Sequence, residues 1–204
     1  MVRKDGENAR DGLIAAGTEL FRRNGYVATT VDEICAEAGV TKGAFFHHFA
    51  SKEALAEACL EKWKAGFMAM IDAAPFQSIS DPVAKLSGCM DFFIAALGNP
   101  QVVKSCLAGT VVQEVSESHP ILRAGAQECF AAGEERFRNL LNSVCQARDI
   151  ELDTTSLAKL WVATIQGSFL LAKASRDDAV VATSLGHVKR YIQSLVGEPI
   201  TAGA

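Results

Sequence analysis

One stretch of sequence, residues 29–55 (TTVDEICAEAGVTKGAFFHHFASKEAL), constrains the fold of this chain more than any other. Within it, apolar residues recur at spacings of three and four, which places them on one face of a short helix: Val31, Ile34, Cys35 and Ala38. The tripeptide at 38–40 then favours a tight turn, in which Gly39 adopts positive φ at little cost. A second short helical stretch follows at once. The segment therefore predicts two short helices joined by a tight turn.

Hydroxyl side chains mark where each helix of this segment begins. Thr30 is the expected N-cap of the first short helix, and Glu33 at position N3 completes a capping box. Thr41 is the expected cap of the second short helix, and Ser51 caps a long helix over about 52–73. These starts predict that the long helix follows the helix-turn-helix directly.

The second short helix has two unlike faces. Val40, Phe45 and Phe49 are spaced to pack against the first helix and form the core. The opposite face has groups that can reach base edges in a DNA major groove: Lys42, Gly43, Phe46 and His47. Small residues at the start of the helix allow the backbone to approach DNA closely. The pattern therefore indicates a DNA-reading helix.

Helical periodicity continues along almost the whole chain, and strand-like alternation is scarce. Beyond the helix-turn-helix, helices are predicted over 9–24, 81–98, 101–117, 120–148, 154–175 and 178–196. Residues 75–82 predict a linker or turn. We expect an all-α chain of about nine helices, with a helix-turn-helix DNA-binding domain over 1–50. A helical ligand-binding and dimerisation domain is expected over 51–204.

Charge and composition limit the other classes of function. The net charge is −4, and residues 3–52 contain as many acidic as basic side chains, so any DNA contact depends on local placement of cations. The sequence has no apolar stretch long enough for a membrane span and no signal-peptide pattern, so a cytoplasmic protein is expected. The cysteines form no CxxC pair and are expected to be free, mostly buried thiols: Cys35, Cys59, Cys89, Cys106, Cys129 and Cys145.

The helix-turn-helix residues also resemble the N-terminal domain of the tetracycline-repressor (TetR) family. Matching positions are Thr30, Ile34, Ala38, Gly39, Val40, Thr41, Gly43, Phe49, Lys52 and Leu55. The resemblance extends upstream through AAGTELFRRNGYVATT and covers about residues 9–60, and residues 105–123 are similar to a stretch found in one branch of the family. Members usually have tyrosine where this chain has Phe46 and His48. That departure changes the expected operator sequence, not the expected binding mode.

Carried over position by position, the resemblance implies a set of DNA contacts. Thr30 and Thr41 would reach phosphates, while His48 and Lys52 would hold the DNA backbone. The residues facing base edges would be Lys42, Gly43, Phe46 and His47. The implied partner is a palindromic double-stranded operator bound by a homodimer. Alanine at Lys42 or Lys52 is expected to weaken operator binding without unfolding the protein.

The helices after residue 51 are rich in aromatic residues, which serve equally as core or as the wall of a ligand pocket. Candidate ligand-binding residues are Trp63, Phe67, Phe92, Cys106, Phe130, Phe137, Trp161, Ile165 and Phe169. Polar groups available to orient a ligand are Gln113, Glu114 and Gln166, although each is equally compatible with the surface. Cys106 has two interpretations, a reactive thiol that senses electrophiles or a small buried apolar residue.

The last two helices predict the dimer interface. Their apolar positions are Leu157, Leu160, Trp161, Ile165, Phe169, Val181, Leu185, Val188, Ile192 and Leu195. Ala163, Gly167 and Ser168 are small enough for close helix approach. Two such helices from each subunit would form a four-helix interface about a two-fold axis.

These patterns together predict a transcriptional regulator, a repressor released from its operator by a small organic effector. The sequence shows no catalytic constellation, cofactor motif or metal-ligand cluster, so no enzymatic activity and no cofactor are expected. The alternative is a small-molecule-binding or thiol-active helical enzyme with an incidental helix-turn-helix. Binding to specific DNA separates the two hypotheses.

Overall fold

The helical periodicity of the sequence is matched by the computed structural model. It describes the backbone of residues 2–99 and 105–197, and side chains from residue 9 onward within those ranges. All regular structure in these ranges is helical, which confirms the all-α prediction. The α-helices are α1 (Val2–Asn24), α2 (Val31–Ala38), α3 (Lys42–His48), α4 (Lys52–Asp72), α5 (Pro82–Leu97), α6 (Leu107–Val115), α7 (Pro120–Arg148), α8 (Thr154–Ser175) and α9 (Ala179–Leu195). No helix in the described ranges is both long and apolar enough to cross a membrane.

Three of the predicted helix ends are followed by a residue whose backbone leaves the right-handed helical region. Gly25 after α1 has φ 92°, and Asp149 and Arg176, which follow α7 and α8, have φ 52° and 55°. A positive φ stops the helical hydrogen-bond pattern, so the chain turns at these points. The predicted linker at 75–82 contains a 3-10 turn, Pro75–Ser78, with Phe76 buried.

Two helix starts differ from the prediction. α1 begins at Val2 instead of residue 9, because the apolar stripe used to find it begins later than the helix itself. α6 begins at Leu107 instead of residue 101, and the predicted residues 101–104 lie outside the described part of the chain. Cys106 is therefore not inside a helix: it is extended, with φ −93° and ψ 127°, and stands at the N-cap of α6.

The chain packs as two compact units. The first unit comprises Met1–Met68 and Ser105–Phe130, so it joins α6 and the start of α7 to α1–α3 and most of α4. Each of these helices contributes to the core of the unit. The largest fully buried side chains are Leu13, Phe21, Ile34, Phe45, Leu55, Leu60, Leu107 and Leu122. The functional division at residue 50 stays a prediction, while the packing unit that holds the helix-turn-helix extends beyond it.

The second unit comprises Ala69–Lys104 and Ala131–Ala204, and α8, α9 and α5 pack together in it. Trp161 is 2% exposed and stacks on Phe137, with ring centroids 4.9 Å apart and an interplanar angle of 7°. Phe93 meets the same indole edge-on at 6.1 Å. Such a closely packed aromatic group gives this unit its own core.

The predicted dimer-interface residues are mostly inside this core. Those buried within the unit are Leu157, Trp161, Ile165, Phe169, Val181, Leu185, Ile192 and Ser168. These side chains pack against the chain's own helices, so a second subunit would meet other residues of α8 and α9. The four-helix interface itself stays a prediction, and its members Ala163, Gly167, Val188 and Leu195 are exposed or half-buried. Leu160 remains exposed, at 38%.

Candidate nucleic-acid interface

The α2–turn–α3 geometry follows the predicted capping pattern. The Glu33 amide donates to the Thr30 hydroxyl oxygen at 3.2 Å, and the Thr30 amide donates to Glu33 Oε2 at 2.8 Å. Hydrogen bonds from the Thr30 amide and the Thr30 hydroxyl to the carboxylate hold the pKa of Glu33 below its usual value. Gly39 ends α2 with φ 67° and ψ 31°, and its amide donates to carbonyls of the last turn. The capping box and the left-handed turn are both confirmed.

The inner face of α3 is held by aromatic packing. Phe45 is fully buried and Phe49 is 5% exposed, with their ring centroids 6.0 Å apart. The guanidinium of Arg10 from α1 lies 5.3 Å from the centre of the Phe49 ring. Val40 is half-buried against the same core. The predicted core role of these residues is confirmed, so the orientation of α3 is set by its inner face.

The outer face of α3 contains the predicted base-facing residues together. Lys42, Gly43, Phe46 and His47 are exposed, and His48 is half-buried. Phe46 is 52% exposed and contacts only the edge of Phe45 among ring partners in the described residues, at 5.2 Å. The exposed ring is available for contact with a thymine methyl.

Lys42 is paired on this face with an acidic residue of α2. Its Nζ lies 2.9 Å from Oδ1 of Asp32, and both side chains are more than half exposed. The hydrogen bond and the charge of Asp32 raise the pKa of Lys42, so the lysine stays charged. Exposed ion pairs of this kind contribute little free energy, so Lys42 can leave Asp32 and bind a DNA phosphate or base at little cost.

The two N-cap threonines, Thr30 and Thr41, differ in their hydrogen-bond partners. The backbone amide and the hydroxyl of Thr30 are both hydrogen-bonded to Glu33, at 2.8 Å each. Thr41 accepts from the Ala44 amide at 3.2 Å, and alanine at N3 has no carboxylate to reach back. Thr41 therefore offers more free hydrogen-bonding capacity to a phosphate than Thr30 does.

Lys52 has a structural role that its predicted contact with the DNA backbone did not include. Its Nζ donates to the carbonyl oxygens of Tyr26 and Thr29 at 2.8 Å each, and to that of Val27 at 3.4 Å. The ammonium also lies 4.4 Å from the centre of the Tyr26 ring. Partial burial lowers the pKa of Lys52. An ammonium has three donors, and carbonyls of the α1–α2 loop, residues 25–30, engage all of them.

Replacing Lys52 by alanine should therefore lower the free energy of unfolding as well as operator affinity. Losing hydrogen bonds from a charged donor to three carbonyls should cost about 2 kcal/mol, measured by urea denaturation. Lys42→Ala is the matched control, because it removes the same charge from an exposed ion pair and should leave stability unchanged. A Lys52→Ala variant as stable as the native chain would refute the structural role. If the salt dependence of DNA binding were the same in Lys52→Ala as in the native chain, the predicted contact of Lys52 with a DNA phosphate would be refuted.

The predicted ligand-binding residues fall into both units. Half-buried members of the first unit are Trp63, Phe67, Cys106 and Phe130. Members of the second unit are Phe92, Phe137, Trp161, Ile165 and Phe169. In the second unit, Phe92 is half-buried and contacts Phe76 and Phe93, whereas the other four are buried. The half-buried side chains have surface left for a ligand, and the closely stacked ones have little.

Cys106 and Cys129 both pack, half-buried, against the core of the first unit. Burial, together with the nearby Cys106 thiol, raises the pKa of Cys129 to about 11, and its Sγ donates to the Leu60 carbonyl at 3.6 Å. Burial likewise raises the pKa of Cys59 to about 11 and of Cys89 to about 12. These three thiols therefore stay protonated near neutral pH. Within the described residues, no group of three or more His, Cys, Asp or Glu side chains is arranged to hold a metal ion.

Glu114, which the sequence offers as a group to orient a ligand, contacts the backbone of the α1–α2 loop instead. Its Oε2 accepts a hydrogen bond from the Val27 amide at 2.8 Å. Gln113 donates within α6 to the Gly109 carbonyl at 2.8 Å, and Gln166 is half-buried on α8. No local pattern could have identified the contact of Glu114, because its partner lies 87 positions away in the sequence.

Comparison with known proteins covers most of the chain. The sequence model described as "Bacterial regulatory proteins, tetR family" matches residues 13–59. The model described as "Tetracyclin repressor-like, C-terminal domain" matches residues 82–188. The two matches fall on α1–α4 and on α5–α9, so together they span the helix-turn-helix and most of the helices that follow it.

Individual relatives agree with these matches. The HTH-type transcriptional repressor DhaR of Mycobacterium sp. (strain GP1) is 27% identical over 170 residues, covering 82% of this chain and 84% of that protein. The transcriptional regulator AcuR of Cereibacter sphaeroides is 27% identical over 171 residues, covering 83% and 78%. A solved TetR transcriptional regulator from Chloroflexus aurantiacus shares the fold, with a TM-score of 0.81 at 23% identity, covering 93% of this chain and 96% of that one.

Proposed function

Because the chain belongs to the tetracycline-repressor family and is a DNA-binding transcriptional regulator, we propose that it represses transcription and is released by a small organic effector. The observation that carries the proposal is the outer face of α3, where Lys42, Gly43, Phe46 and His47 are exposed together on a helix fixed by its buried inner face. A footprint on the DNA flanking its own gene tests the proposal. Protection of a specific site supports it, and protection no stronger than on unrelated DNA refutes it.

In the proposed complex α3 lies in the major groove. Lys42 leaves Asp32 and donates to a base edge, and the Phe46 ring contacts a thymine methyl. The Thr41 hydroxyl and the half-buried His48 contact phosphates beside the groove. Gly43, without a side chain, lets the helix backbone come close to the bases. The sequence-specific part of binding thus rests on few residues, and phosphate contacts set the register.

The proposed regulator is a homodimer in which an outward face of α8 and α9 of each subunit contacts the same face of the other subunit. Exposed or half-buried residues on this face of α8 are Leu160, Ala163, Gly167, Leu170, Leu171 and Ala174. On α9 they are Thr183, His187 and Tyr191. None of these is a Lys, Arg, Asp or Glu, although the Arg190 guanidinium lies 2.8 Å from the His187 ring. The apolar part of this face, on α8, favours burial against an identical face about a two-fold axis.

Release from DNA is proposed to be a shift between two forms of the dimer. One form holds its α3 helices about one DNA turn apart, roughly 34 Å, and matches both half-sites. The second form has another spacing and fits the operator poorly. An effector shifts the balance only as far as it binds the second form more tightly, by about 1.4 kcal/mol for each tenfold change.

The proposed effector is a mostly apolar, neutral or weakly charged organic molecule. Within the first unit, the half-buried candidates Trp63, Phe67 and Phe130 offer aromatic surface, which suits such a ligand. No group of three or more His, Cys, Asp or Glu side chains among the described residues is arranged to hold a metal ion. A Cys106 thiol that reacts with electrophiles is the other hypothesis for the trigger. A gel-shift panel of apolar organics, metal ions and thiol-reactive compounds, on the native chain and on Cys106→Ser, separates the two. Release by a metal alone would overturn the apolar effector.

Fluorescence of the two tryptophans can report where the effector binds, because Trp63 lies in the first unit and Trp161 in the second. Trp63 is half-buried with the Arg22 guanidinium 4.8 Å from its ring, whereas Trp161 is enclosed by Phe93 and Phe137. An effector found in the panel should therefore change the emission of Trp63. The change should persist in Trp161→Phe and disappear in Trp63→Phe. The opposite pattern would place the ligand at the Trp161 group.

A further inference from the structure

The α1–α2 loop, residues 25–30, is held from several sides by groups distant in sequence. It begins at Gly25, whose amide closes the last turn of α1, and its Thr29 hydroxyl donates to the Gly25 carbonyl at 2.6 Å. Thr29 is fully buried, and the next residue, Thr30, is the N-cap of α2. The path of this loop therefore sets where α2 starts, and α2 in turn carries the turn and α3.

Two oppositely charged side chains, Lys52 and Glu114, form hydrogen bonds with the backbone of the loop. Lys52 from α4 donates to the Tyr26, Val27 and Thr29 carbonyls, as described above. Glu114 from α6 accepts from the Val27 amide at 2.8 Å. The cation thus takes the acceptors of the peptide groups and the anion takes a donor, which is the complementary arrangement.

Residues just before and just after α6 also contact the end of α1 and the α1–α2 loop. A Cβ at Gly25 would overlap Oε1 of Glu114, so the carboxylate fills the space beside the bare backbone. The Tyr26 ring meets the His119 ring edge-on at 5.2 Å. Just before α6, the Ser105 carbonyl accepts from Arg22 Nε at 3.1 Å. α6 is thus tied to the end of α1 and to the loop at both of its ends.

We propose that Glu114 is a positioning residue for operator binding: its carboxylate, together with Lys52, holds the α1–α2 loop in the path that places α2 and α3 for DNA. The proposal rests on the proposed function, because it concerns the affinity for operator DNA. Glu114 itself lies on α6 and is not among the residues assigned to the DNA. Any change of α6 that withdraws the carboxylate would loosen the loop and lower operator affinity.

If Glu114 acted only through its charge, its removal would have the opposite effect on the affinity for DNA. Removing an acidic side chain near a DNA-binding surface reduces repulsion of phosphates and should raise affinity on every sequence. The positioning role requires a loss of affinity in spite of the lost negative charge. Glu117, an exposed glutamate in the turn after α6, provides the matched control because its removal changes the net charge equally.

The test measures binding of the full chain to a duplex that the native chain selects from random-sequence DNA, at several salt concentrations. Glu114→Ala should bind about fivefold more weakly than the native chain, the equivalent of one net hydrogen bond. Glu114→Gln keeps an acceptor oxygen and should recover most of that loss. Glu117→Ala should bind as tightly as the native chain or tighter. The salt dependence should be the same for all, because Glu114 contacts no phosphate.

Hydrogen–deuterium exchange on the DNA-free chain gives a second readout that does not depend on binding. The Val27 amide should exchange faster in Glu114→Ala and at the native rate in Glu117→Ala. Equal affinity of Glu114→Ala and Glu117→Ala, a changed salt dependence, or unchanged Val27 exchange would each overturn the proposal. Failure of the native chain to select any DNA would instead overturn the proposed function.

Discussion

Replacing Gly43 by leucine should abolish operator binding and leave the fold intact. A Cβ at this position would have only the Thr41 hydroxyl oxygen within reach, at 3.8 Å, which is an ordinary contact, so the side chain extends into solvent. Glycine is a poor helix former, and its replacement should leave the free energy of unfolding unchanged or raise it by up to about 1 kcal/mol. In the complex the same side chain stands between the α3 backbone and the base edges. We expect affinity to fall by at least about 100-fold, or about 2.7 kcal/mol.

Gly66→Leu is the matched control for this prediction. Gly66 lies on α4, is exposed, and a Cβ there would meet nothing within 4 Å. That substitution should leave both stability and operator binding near the native values. Titration of the selected duplex and urea denaturation of both variants provide the comparison. Native-like DNA binding by Gly43→Leu would show that this face of α3 does not enter the groove.

Replacing Leu171 by glutamate should convert the proposed dimer to a monomer and weaken its binding to the operator. Leu171 is 58% exposed on the uncharged face of α8, so the single chain tolerates the change. In an isologous dimer each substitution occurs twice, and a buried carboxylate without a partner is strongly unfavourable. The dimer dissociation constant should rise by at least about 100-fold, measured by analytical ultracentrifugation.

Ile121→Glu is the control for the dimer prediction. Ile121 is 50% exposed, near the start of α7, and lies outside the proposed interface. It receives the same apolar-to-acidic change at a similar exposure and should leave the dimer intact. A Leu171→Glu chain that still sediments as a dimer, with Ile121→Glu unchanged, would show that another surface joins the subunits.

Local sequence signals determined the helix-turn-helix almost completely. The capping box of Thr30 and Glu33, the left-handed Gly39 and the inward Phe45 and Phe49 all depend on neighbours within a few positions. Spacing along the chain then decides both the helix starts and the side of α3 that faces outward. For this reason the exposure of the predicted base-facing residues followed from the sequence, whereas their contact with DNA stays a prediction.

Apolar periodicity was insufficient for α8 and α9. Residues such as Trp161 and Leu185 are apolar on one side of each helix, and Leu171 and Tyr191 extend the apolar surface to the other side. A helix with apolar residues on two sides does not reveal which side meets its own chain and which meets a partner. The predicted interface therefore combines buried positions, such as Trp161 and Leu185, with exposed ones, such as Leu160.

Contacts between distant segments were also outside the reach of sequence patterns. Lys52 matched a family position and was expected at the DNA, yet its ammonium is engaged by the carbonyls of the α1–α2 loop. Glu114 had the composition of a ligand-orienting group, and its partner is the Val27 amide. Backbone carbonyls and amides carry no sequence signature, so the partners of long polar side chains become visible only in the folded chain.

The proposed function requires that a symmetric dimer of this chain reads specific DNA with α3. Its most direct test is selection of double-stranded DNA from a random-sequence library by the purified full chain, followed by footprinting and sizing of the complex. Such a dimer should select an inverted repeat whose half-site centres are about 10 base pairs apart, or a multiple of that, bound by two chains or an even number of them. Enrichment of no sequence above non-specific binding, or of a single unrepeated site bound by one chain, would contradict it.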